Sequence, residues 1–384
     1  MLKIEGQYEL NLEIGGVSLA DSQGNLDIQE IEMIETVGTA LPTISATLIC
    51  RDKKVRALFH EGNRLNVMFR RNEDDSDGVV TSFQVTNVMV KRIASHYLIK
   101  FTGIYAAMSY LAEHRQRALK EKSAIEAITT IANTHFKKVD SNLAKSQDRQ
   151  VWLQPNDTDK KFISDIWLHA NLPDSMLMLA PCTNGDFRIR DLKTLVSKAQ
   201  PNWAFLPNVK DNADDKNIWY SGEYTINTNS GFINHWLGYG NRVDITDRDL
   251  GEYEELLEMP TPKLTKSNLF PRRSDIDGRR GTPQWLNDNV HPKYWHAHQQ
   301  NITSLALFST VTVTLSYSDQ LHPQMRVLDL VSFLEPDSTN AATDETHTGL
   351  YIISKLSRKF ANNHIVTTVE LSRETHEDIA GEIR

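Results

Sequence analysis

The chain has 384 residues, 40% of them hydrophobic and 24% charged, which suits a globular protein of two or more packed units and excludes a disordered or fibrous chain. A formal net charge of −8 and a pI near 5.9 argue against a protein whose main task is to grip nucleic acid through phosphate contacts. Cys50 and Cys182 are the only cysteines, too few for a disulfide scaffold or a cysteine-based zinc site, and both are expected to be reduced and buried.

The start Met1-Leu2-Lys3-Ile4-Glu5-Gly6 lacks the basic and then apolar pattern of a secretory signal, and no apolar run approaches the roughly 18 residues of a membrane span. Synthesis in a cytoplasm is the expectation. Tyr8-Glu9-Leu10-Asn11-Leu12-Glu13-Ile14 alternates apolar and polar residues, which predicts a strand with one buried face, ended by Gly15-Gly16. Further strands are predicted at Ile28 to Ile34, Ile44 to Cys50, Arg64 to Phe69, Phe83 to Val90 and Tyr97 to Phe101. Six strands in about 105 residues suggest a small antiparallel barrel.

The period then changes. Ser123-Ala124-Ile125-Glu126 reads as a capping box, because its hydroxyl and carboxylate can each accept an otherwise unpaired backbone N–H; Ile125, Ile128, Ile131 and Ala132 follow at helical spacing. A second helix is predicted from Asp157 or Thr158, with Phe162, Ile163, Ile166, Trp167 and Ala170 on one stripe. Ser175 to Leu179 and Phe187 to Ile189 read as a hairpin turned by Asn184-Gly185.

Strand pattern returns at Tyr224-Thr225-Ile226 and is broken by a polar stretch with Pro260-Thr261-Pro262, Pro271-Arg272-Arg273 and Gly278-Arg279-Arg280-Gly281, all loop chemistry. After a helix around Pro292 to Leu307, strands are predicted at Val311 to Leu315, Val327 to Phe333, Leu350 to Leu356 and Ile365 to Leu371. The expected fold class is β-rich α+β with two small antiparallel barrels. They are a first barrel over 1–105, an α+β insertion domain over 106–205, and a second, split barrel from 206–240 and 305–372. An extended excursion with a helix near its end takes 241–304, and 373–384 is a polar tail. Two similar barrels per chain let three copies close a ring of six near-equivalent units with only threefold symmetry. Such a ring can cap a sixfold tube.

Three patches carry a resemblance. Leu41-Pro42-Thr43-Ile44-Ser45-Ala46-Thr47-Leu48-Ile49-Cys50-Arg51-Asp52, continuing to Phe59-His60-Glu61-Gly62-Asn63, has the order strand, Asp, short helix and Gly turn. Val151-Trp152-Leu153-Gln154-Pro155-Asn156-Asp157 is followed by Phe162-Ile163 and His169-Ala170, and Gly349-Leu350-Tyr351-Ile352-Ile353-Ser354-Lys355-Leu356 by Ile365 to Arg373. In order and spacing these resemble the first barrel, the insertion domain and the closing hairpin of the central hub family of contractile phage baseplates. That family is shared with the N-terminal part of type VI secretion spike proteins. The resemblance implies a homotrimeric ring docked on one side to the tail tube protein and on the other to the central spike protein. It implies a channel for DNA in transit, the tape-measure protein as a lumen occupant, and no stable membrane binding. It places the chain in the virion, at the tail baseplate, assembled in the host cytoplasm as a structural protein and not an enzyme. The stretch 241–300 matches no family-wide pattern, and the chain ends soon after the closing strand, so the spike is expected to be a separate protein.

Candidate chemistry is sparse. His291, His296 and His298 cluster, yet a metal site needs three or four converging ligands, and on a helix His296 and His298 point about 200° apart. Surface or interface histidines are expected, with Asp288 the nearest upstream carboxylate. Glu5, Glu9, Glu13, Asp21, Asp27, Glu30, Glu32 and Glu35 face only Lys3 in the first 38 residues. They read as a solvated strand face or as a negative channel wall that keeps DNA from sticking, both exposed. Arg115, Arg117, Lys120, Lys122, Arg272, Arg273, Arg279 and Arg280 read as solvated surface. Trp203, Trp219, Trp236, Trp285 and Trp295 are core residues or interface anchors. G-x-S-x-G, Walker A, H-E-x-x-H and C-x-x-C motifs are absent, and Gly238-Tyr239-Gly240 reads as a turn. No catalytic, cofactor-binding or metal residue is assigned and no cofactor is expected. The rivals are a tail-associated peptidoglycan hydrolase, which would need a carboxylate pair in a cleft, and a peripheral tail or host-binding protein.

Overall fold

The structure is a computed structural model that describes residues 2–3, 8–19, 26–71, 79–173, 175–197, 200–207, 217–220, 223–227, 242–247, 253–257, 282–286, 290–305, 309–315, 324–335, 347–361 and 364–373. The first strand group comprises β1 (Leu2–Lys3), β2 (Tyr8–Ile14), β3 (Val17–Ser18), β4 (Leu26–Thr36), β5 (Thr43–Cys50), α1 (Lys53–Ala57), β6 (Arg64–Arg71), β7 (Val79–Ile93) and β8 (His96–Tyr105). The middle group comprises α2 (Met108–Ala112), β9 (His114–Lys122), α3 (Ala124–Ala132), β10 (Lys138–Ser141), β11 (Gln150–Thr158), α4 (Asp159–Leu168), β12 (Leu177–Pro181), β13 (Asp186–Asp191) and α5 (Leu192–Ser197). There follow β14 (Trp203–Pro207), β15 (Asn217–Tyr220), β16 (Tyr224–Asn227), β17 (Arg242–Asp247), β18 (Tyr253–Leu257), β19 (Thr282–Leu286), α6 (Tyr294–Leu305), β20 (Ser309–Leu315), β21 (Leu330–Phe333), β22 (Gly349–Ala361) and β23 (His364–Arg373).

All six strands expected in the first 105 residues are present, β2 over its predicted range and the other five a little longer. Alternation is the reason. In β5, Ile44, Ala46, Leu48 and Cys50 are buried while Thr43 is exposed, and β2 likewise buries Leu10, Leu12 and Ile14. With Leu65, Val67, Phe83, Val85, Ile99 and Phe101 they form one apolar cluster. Burying each large aliphatic side chain contributes about 1.5–3 kcal/mol against an exposed one.

The two strand groups are not separate closed barrels among the described residues. One continuous path runs β1-β2-β6-β7-β8-β5-β4-β22-β21-β14-β15, with β23, β20 and β16 branching from β22. Strand β4 has β5 on one side and β22 on the other, Thr36 facing Lys355 through Glu30 facing Ala361. The join follows from length: β4 and β22 span 11 and 13 residues, enough for each to reach beyond its own group. Each group keeps its own core, the second built on Phe205, Val311, Val313, Leu330, Val331, Phe333, Tyr351, Ile353, Val369 and Leu371.

The middle group packs α3 and α4 around Ile125, Ile128, Ile131, Phe162, Ile163 and Ile166, the stripes the sequence predicts. The capping box is formed: Glu126 N–H donates to Ser123 Oγ and Ser123 N–H to Glu126 Oε2, at 3.4 and 2.9 Å. The hairpin is β12 and β13, turned at Gly185 with φ +91, where a Cβ would lie 2.8 Å from the Tyr105 hydroxyl. The stretch expected to be loop from 241 to 291 is partly sheet, since β17 pairs antiparallel with β18 and parallel with β19. Arg373, expected to begin the tail, ends β23 with its side chain fully buried over the Tyr351 ring. Residues 374–384 lie outside the described residues.

Replacement of the capping hydroxyl, Ser123→Ala, leaves the Glu126 N–H without its side-chain acceptor. It is expected to lower stability by about 1 kcal/mol, read as a shift in the urea midpoint with unchanged slope.

Candidate assembly site

Strand β7 spans 15 residues, but β6 accompanies it only from Val79 to Gln84. The next residue, Val85, still exchanges backbone hydrogen bonds with Gly62 and Asn63. At Thr86 the register with β8 slips by one residue between Val85 and Asn87, a bulge that bends the strand and sharpens its twist. From Asn87 to Ile93, β7 pairs with β8 alone, and no described strand covers its other edge. The tip turns at Ala94, whose φ of +50 costs a residue with a Cβ about 1–2 kcal/mol.

This arm is apolar where a solvated hairpin would be polar. Met89 is 49% exposed and Ile93 43%, and they share one face with Lys91; their partners across β8 are Lys100 and His96. Val90, 37% exposed, faces the other way. An open strand edge flanked by bare apolar side chains is a template for pairing with another chain, and lysine at such an edge restrains indiscriminate pairing.

Behind the arm, buried polar groups lock the three parts together. Glu35, on β4, is 1% exposed; Thr183 donates to its Oε2 through the backbone N–H and the hydroxyl at 2.7 and 2.9 Å, and Val327 N–H donates to its Oε1 at 3.4 Å. Thr183 lies between β12 and β13, and its carbonyl accepts from Thr81 Oγ1 on β7 at 2.6 Å. Beside it, Arg188 Nη1 on β13 donates to Asp329 Oδ1 at 2.7 Å and to the Val327 carbonyl at 2.6 Å. Asp329 Oδ2 accepts from Trp203 Nε1 at 2.8 Å and from Arg326 N–H at 2.9 Å. Burial works against the Arg188 charge, and the Asp329 carboxylate more than restores it, so its pKa lies above the usual arginine range. Arg358, wholly buried near Arg326, is pushed down to about 10 by burial.

A second node centres on Asp159, the first residue of α4, with its side chain fully buried. His135 Nε2 meets Oδ2 at 2.7 Å, Gln154 Nε2 donates to Oδ1 at 2.9 Å, and Arg117 pairs with Oδ1. Burial alone would raise this carboxyl; the His135 and Gln154 hydrogen bonds and the Arg117 guanidinium outweigh it and hold the pKa below the usual carboxylate range. His135 Nδ1 lies 3.0 Å from Ser109 Oγ, which completes the connectivity of a serine–histidine–aspartate relay. The Asp159 charge that would steady an imidazolium is already committed to Arg117, and the five residues tie α2, β9, α4, β11 and the end of α3 together.

No family model matches the chain, and no curated protein matches it by sequence. The fold does have relatives among solved structures. A tail protein from Neisseria meningitidis MC58 superposes with a TM-score of 0.58 at 10% identity, over 96% of this chain and 97% of its own. The 43 kDa tail protein of prophage MuSo2 from Shewanella oneidensis gives 0.54 at 10% identity, over 96% and 99%. The Francisella PdpA–VgrG complex gives 0.51 at 11% identity, over 98% of this chain and 54% of that one. The chain has the fold of phage tail proteins. At these identities the likeness lies in the order and pairing of the strands.

Within this tail fold, several charges expected at the surface work inside. Glu35 is buried at the junction, so it leaves the early acidic series, whereas Glu30, ion-paired with Lys359 at 2.9 Å, and Glu32, which accepts from Ser357 Oγ at 2.7 Å, stay half-exposed; Glu5 and Asp21 lie outside the described residues. Arg117 and Arg115 lie on β9 and face Asp159, Arg115 at 3.7 Å; β9 was missed because His114-Arg115-Gln116-Arg117 has no apolar alternation. His291, expected at a surface or interface, is 5% exposed, and His298 stacks on His169. No cluster of three His, Cys, Asp or Glu residues able to hold a metal ion occurs among the described residues. Trp203 is anchored on Asp329, Trp295 packs beside His169, and both cysteines are free and buried. Trp236, Gly238 to Gly240, Arg272, Arg273, Arg279, Arg280 and Asp288 lie outside the described residues, as do the Trp219 and Trp285 side chains. The arm itself was within reach of sequence reading: Met89, Val90 and Ile93 continue a strand into Lys91 and Arg92 with no polar alternation.

Asp329→Ala strips Arg188 of its closest carboxylate and is expected to cost about 3–5 kcal/mol in chemical denaturation, as for other broken buried pairs. Ser109→Ala removes one neutral hydrogen bond and should cost only about 1 kcal/mol. A fluorophosphonate probe should leave Ser109 unlabelled in the folded protein; labelling would turn the relay into a catalytic one.

Proposed function

We propose that the chain is the central hub subunit of a phage tail baseplate, a homotrimeric ring that joins the sixfold tail tube to the threefold central spike and lines the channel through which DNA passes. The observation that carries the reading is the β7–β8 arm, whose edge from Asn87 to Ile93 is uncovered among the described residues and whose Met89, Val90 and Ile93 are exposed. The occupant of that edge is a second copy of the chain. Pairing continues the sheet across the boundary between subunits and buries apolar side chains worth roughly 1.5–3 kcal/mol each.

The two strand groups, 1–105 and 206–240 with 305–372, serve as the two ring-forming units, joined through β4 and β22, and 106–205 as the insertion domain. Three copies then present six similar units to a sixfold tube. The likeness to two tail proteins supports a structural role in the virion tail, and the likeness to a chain of the PdpA–VgrG complex supports a spike-type partner. The tail tube and tape-measure proteins are the remaining partners, with assembly in the host cytoplasm. The work is geometric, so no bond is made or broken.

The purified chain is expected at three times 43.7 kDa by native mass spectrometry or light scattering. Met89→Lys with Ile93→Lys adds charge on the arm face beside Lys91, and should reduce that species to monomer with the same circular dichroism and a melting temperature lowered only by the lost association. A wild-type dimer or tetramer, or a trimer indifferent to both substitutions, overturns the ring.

A further inference from the structure

Helix α6 lies against α4, and the contact is polar and unusually rich in histidine. Asn301 is 2% exposed, and its amide donates to the carbonyls of Ala170 at 2.8 Å and Leu168 at 3.1 Å, with Trp167 at 3.3 Å. The Leu168 carbonyl is among those that the end of α4 leaves without a helical partner, whereas Trp167 also accepts from Ala170 N–H at 3.2 Å. Gln300 Nε2 donates to the Ser175 carbonyl at 2.8 Å, and His291 N–H to Gln150 Oε1 at 2.9 Å.

The rings complete the contact. His169, at the C-terminus of α4, stacks on Tyr294 at 3.8 Å and on His298 at 4.7 Å between centroids, with Trp295 edge-on to both histidines. His291 Nε2 donates to the His169 carbonyl at 3.1 Å, and His169 Nδ1 to the Asp165 carbonyl at 2.8 Å. Each bond fixes a tautomer and leaves the second nitrogen a bare lone pair. Those second atoms, His291 Nδ1 and His169 Nε2, are buried and have no hydrogen-bond partner among the described residues.

We propose that His169, His291 and His298 form an acid-sensitive latch, which holds α6 on α4 at neutral pH and releases it when the cluster takes up protons. A proton on either orphaned nitrogen creates a buried cation with no acceptor, beside other rings that would carry the same charge. Burial, followed by the neighbouring His291, pushes His169 down to about 4, and burial with His169 does the same to His298; His291 is also lowered, first by burial.

The surrounding charges do not cancel the effect. On α4 the facing groups are Asp165, whose side chain is 56% exposed and therefore screened, and Lys161, with Asp157 just before the helix. Asp148 faces His291, but its carboxylate already accepts from Ala124 N–H, Ser146 Oγ and Asn171 N–H. On α6 are His296, 3.5 Å from Lys293 just before the helix, and the Tyr294 phenol, raised by burial and so neutral.

The sign follows from linkage. Released histidines return to about 6.5, so the released state binds more protons between that value and about 4. Docking is at full strength above about pH 6.5 and weakens as pH falls, by roughly tenfold per unit for each histidine that must stay neutral. The latch stands on α4, α6 and the residues that flank them and does not depend on the ring.

Amide hydrogen exchange on the full chain tests it, with protection corrected for the intrinsic pH effect. Protection over Tyr294–Leu305 should fall roughly tenfold or more between about pH 7.5 and 5, while β22 and β23 hold theirs. His169→Phe with His298→Phe keeps the rings and removes two titrations, so it should flatten that fall. Exchange at the histidine C2 positions of the wild-type chain gives midpoints independently of any variant; they should lie well below 6.5. Equal protection at both pH values, an undiminished fall in the double variant, or midpoints near 6.5 for His169 and His298 overturns the latch.

Discussion

The fold depends on one buried carboxylate. Glu35 sits at the end of β4, where the first strand group meets both the second and the middle group, and it answers backbone N–H groups from each of the other two, at Thr183 and Val327. Those amides belong to segments outside regular strand pairing, so no sheet ladder would satisfy them, and an unsatisfied buried N–H costs about 1–3 kcal/mol. Asp329 and Arg188 repeat the arrangement a few residues away. A purely apolar junction would hold the parts together as well; it would specify their relative register less, because apolar contact tolerates sliding and a carboxylate gripping two amides does not.

That rigidity gives the arm its meaning. Strand β7 is anchored over its first half by β6 and, through Thr81, by the carbonyl of Thr183. Its second half then leaves with an uncovered edge. A mobile arm would lose ordering entropy on meeting a partner, at roughly 1–2 kcal/mol per backbone residue. An arm whose root is fixed by a bulge and a buried network loses less, and presents its edge in one orientation to every neighbour.

Much of the strand framework was legible because it rests on period-two burial: Tyr8 to Ile14, Ile44 to Cys50 and Ile365 to Leu371 all announce their buried face. Both middle helices were legible for the matching reason, an apolar stripe behind a capping residue. The misses share a cause. Strand β9 is polar on both faces, β17 and β19 lie among prolines and glycines that read as loop, and the β4–β22 join is a choice of neighbour that alternation does not encode. The site was less legible still. Nothing local distinguishes Glu35 from Glu30 or Arg117 from Lys120; what separates them is whether an orphaned amide or a buried Asp159 stands opposite, and that is set by residues up to hundreds of positions away.

The distribution of groups runs opposite to that of a self-sufficient globule. Arg188, Arg358, Arg373, Glu35, Asp159 and Asp329 are drawn inside, where each must be matched or it destabilises the fold. Met89, Val90 and Ile93 are left outside at the end of a strand with a free edge. Internal charges of this kind fix geometry at a cost in stability, and external apolar residues at an open edge lower solubility until they are covered. In the proposed ring both traits would have a use, because error in the shape of one subunit would propagate around identical copies. The α4–α6 contact follows the same logic on a smaller scale: neutral histidines with fixed tautomers give a specific seat for a helix at neutral pH, and their specificity comes from the orphaned nitrogens that make the seat vulnerable to acid.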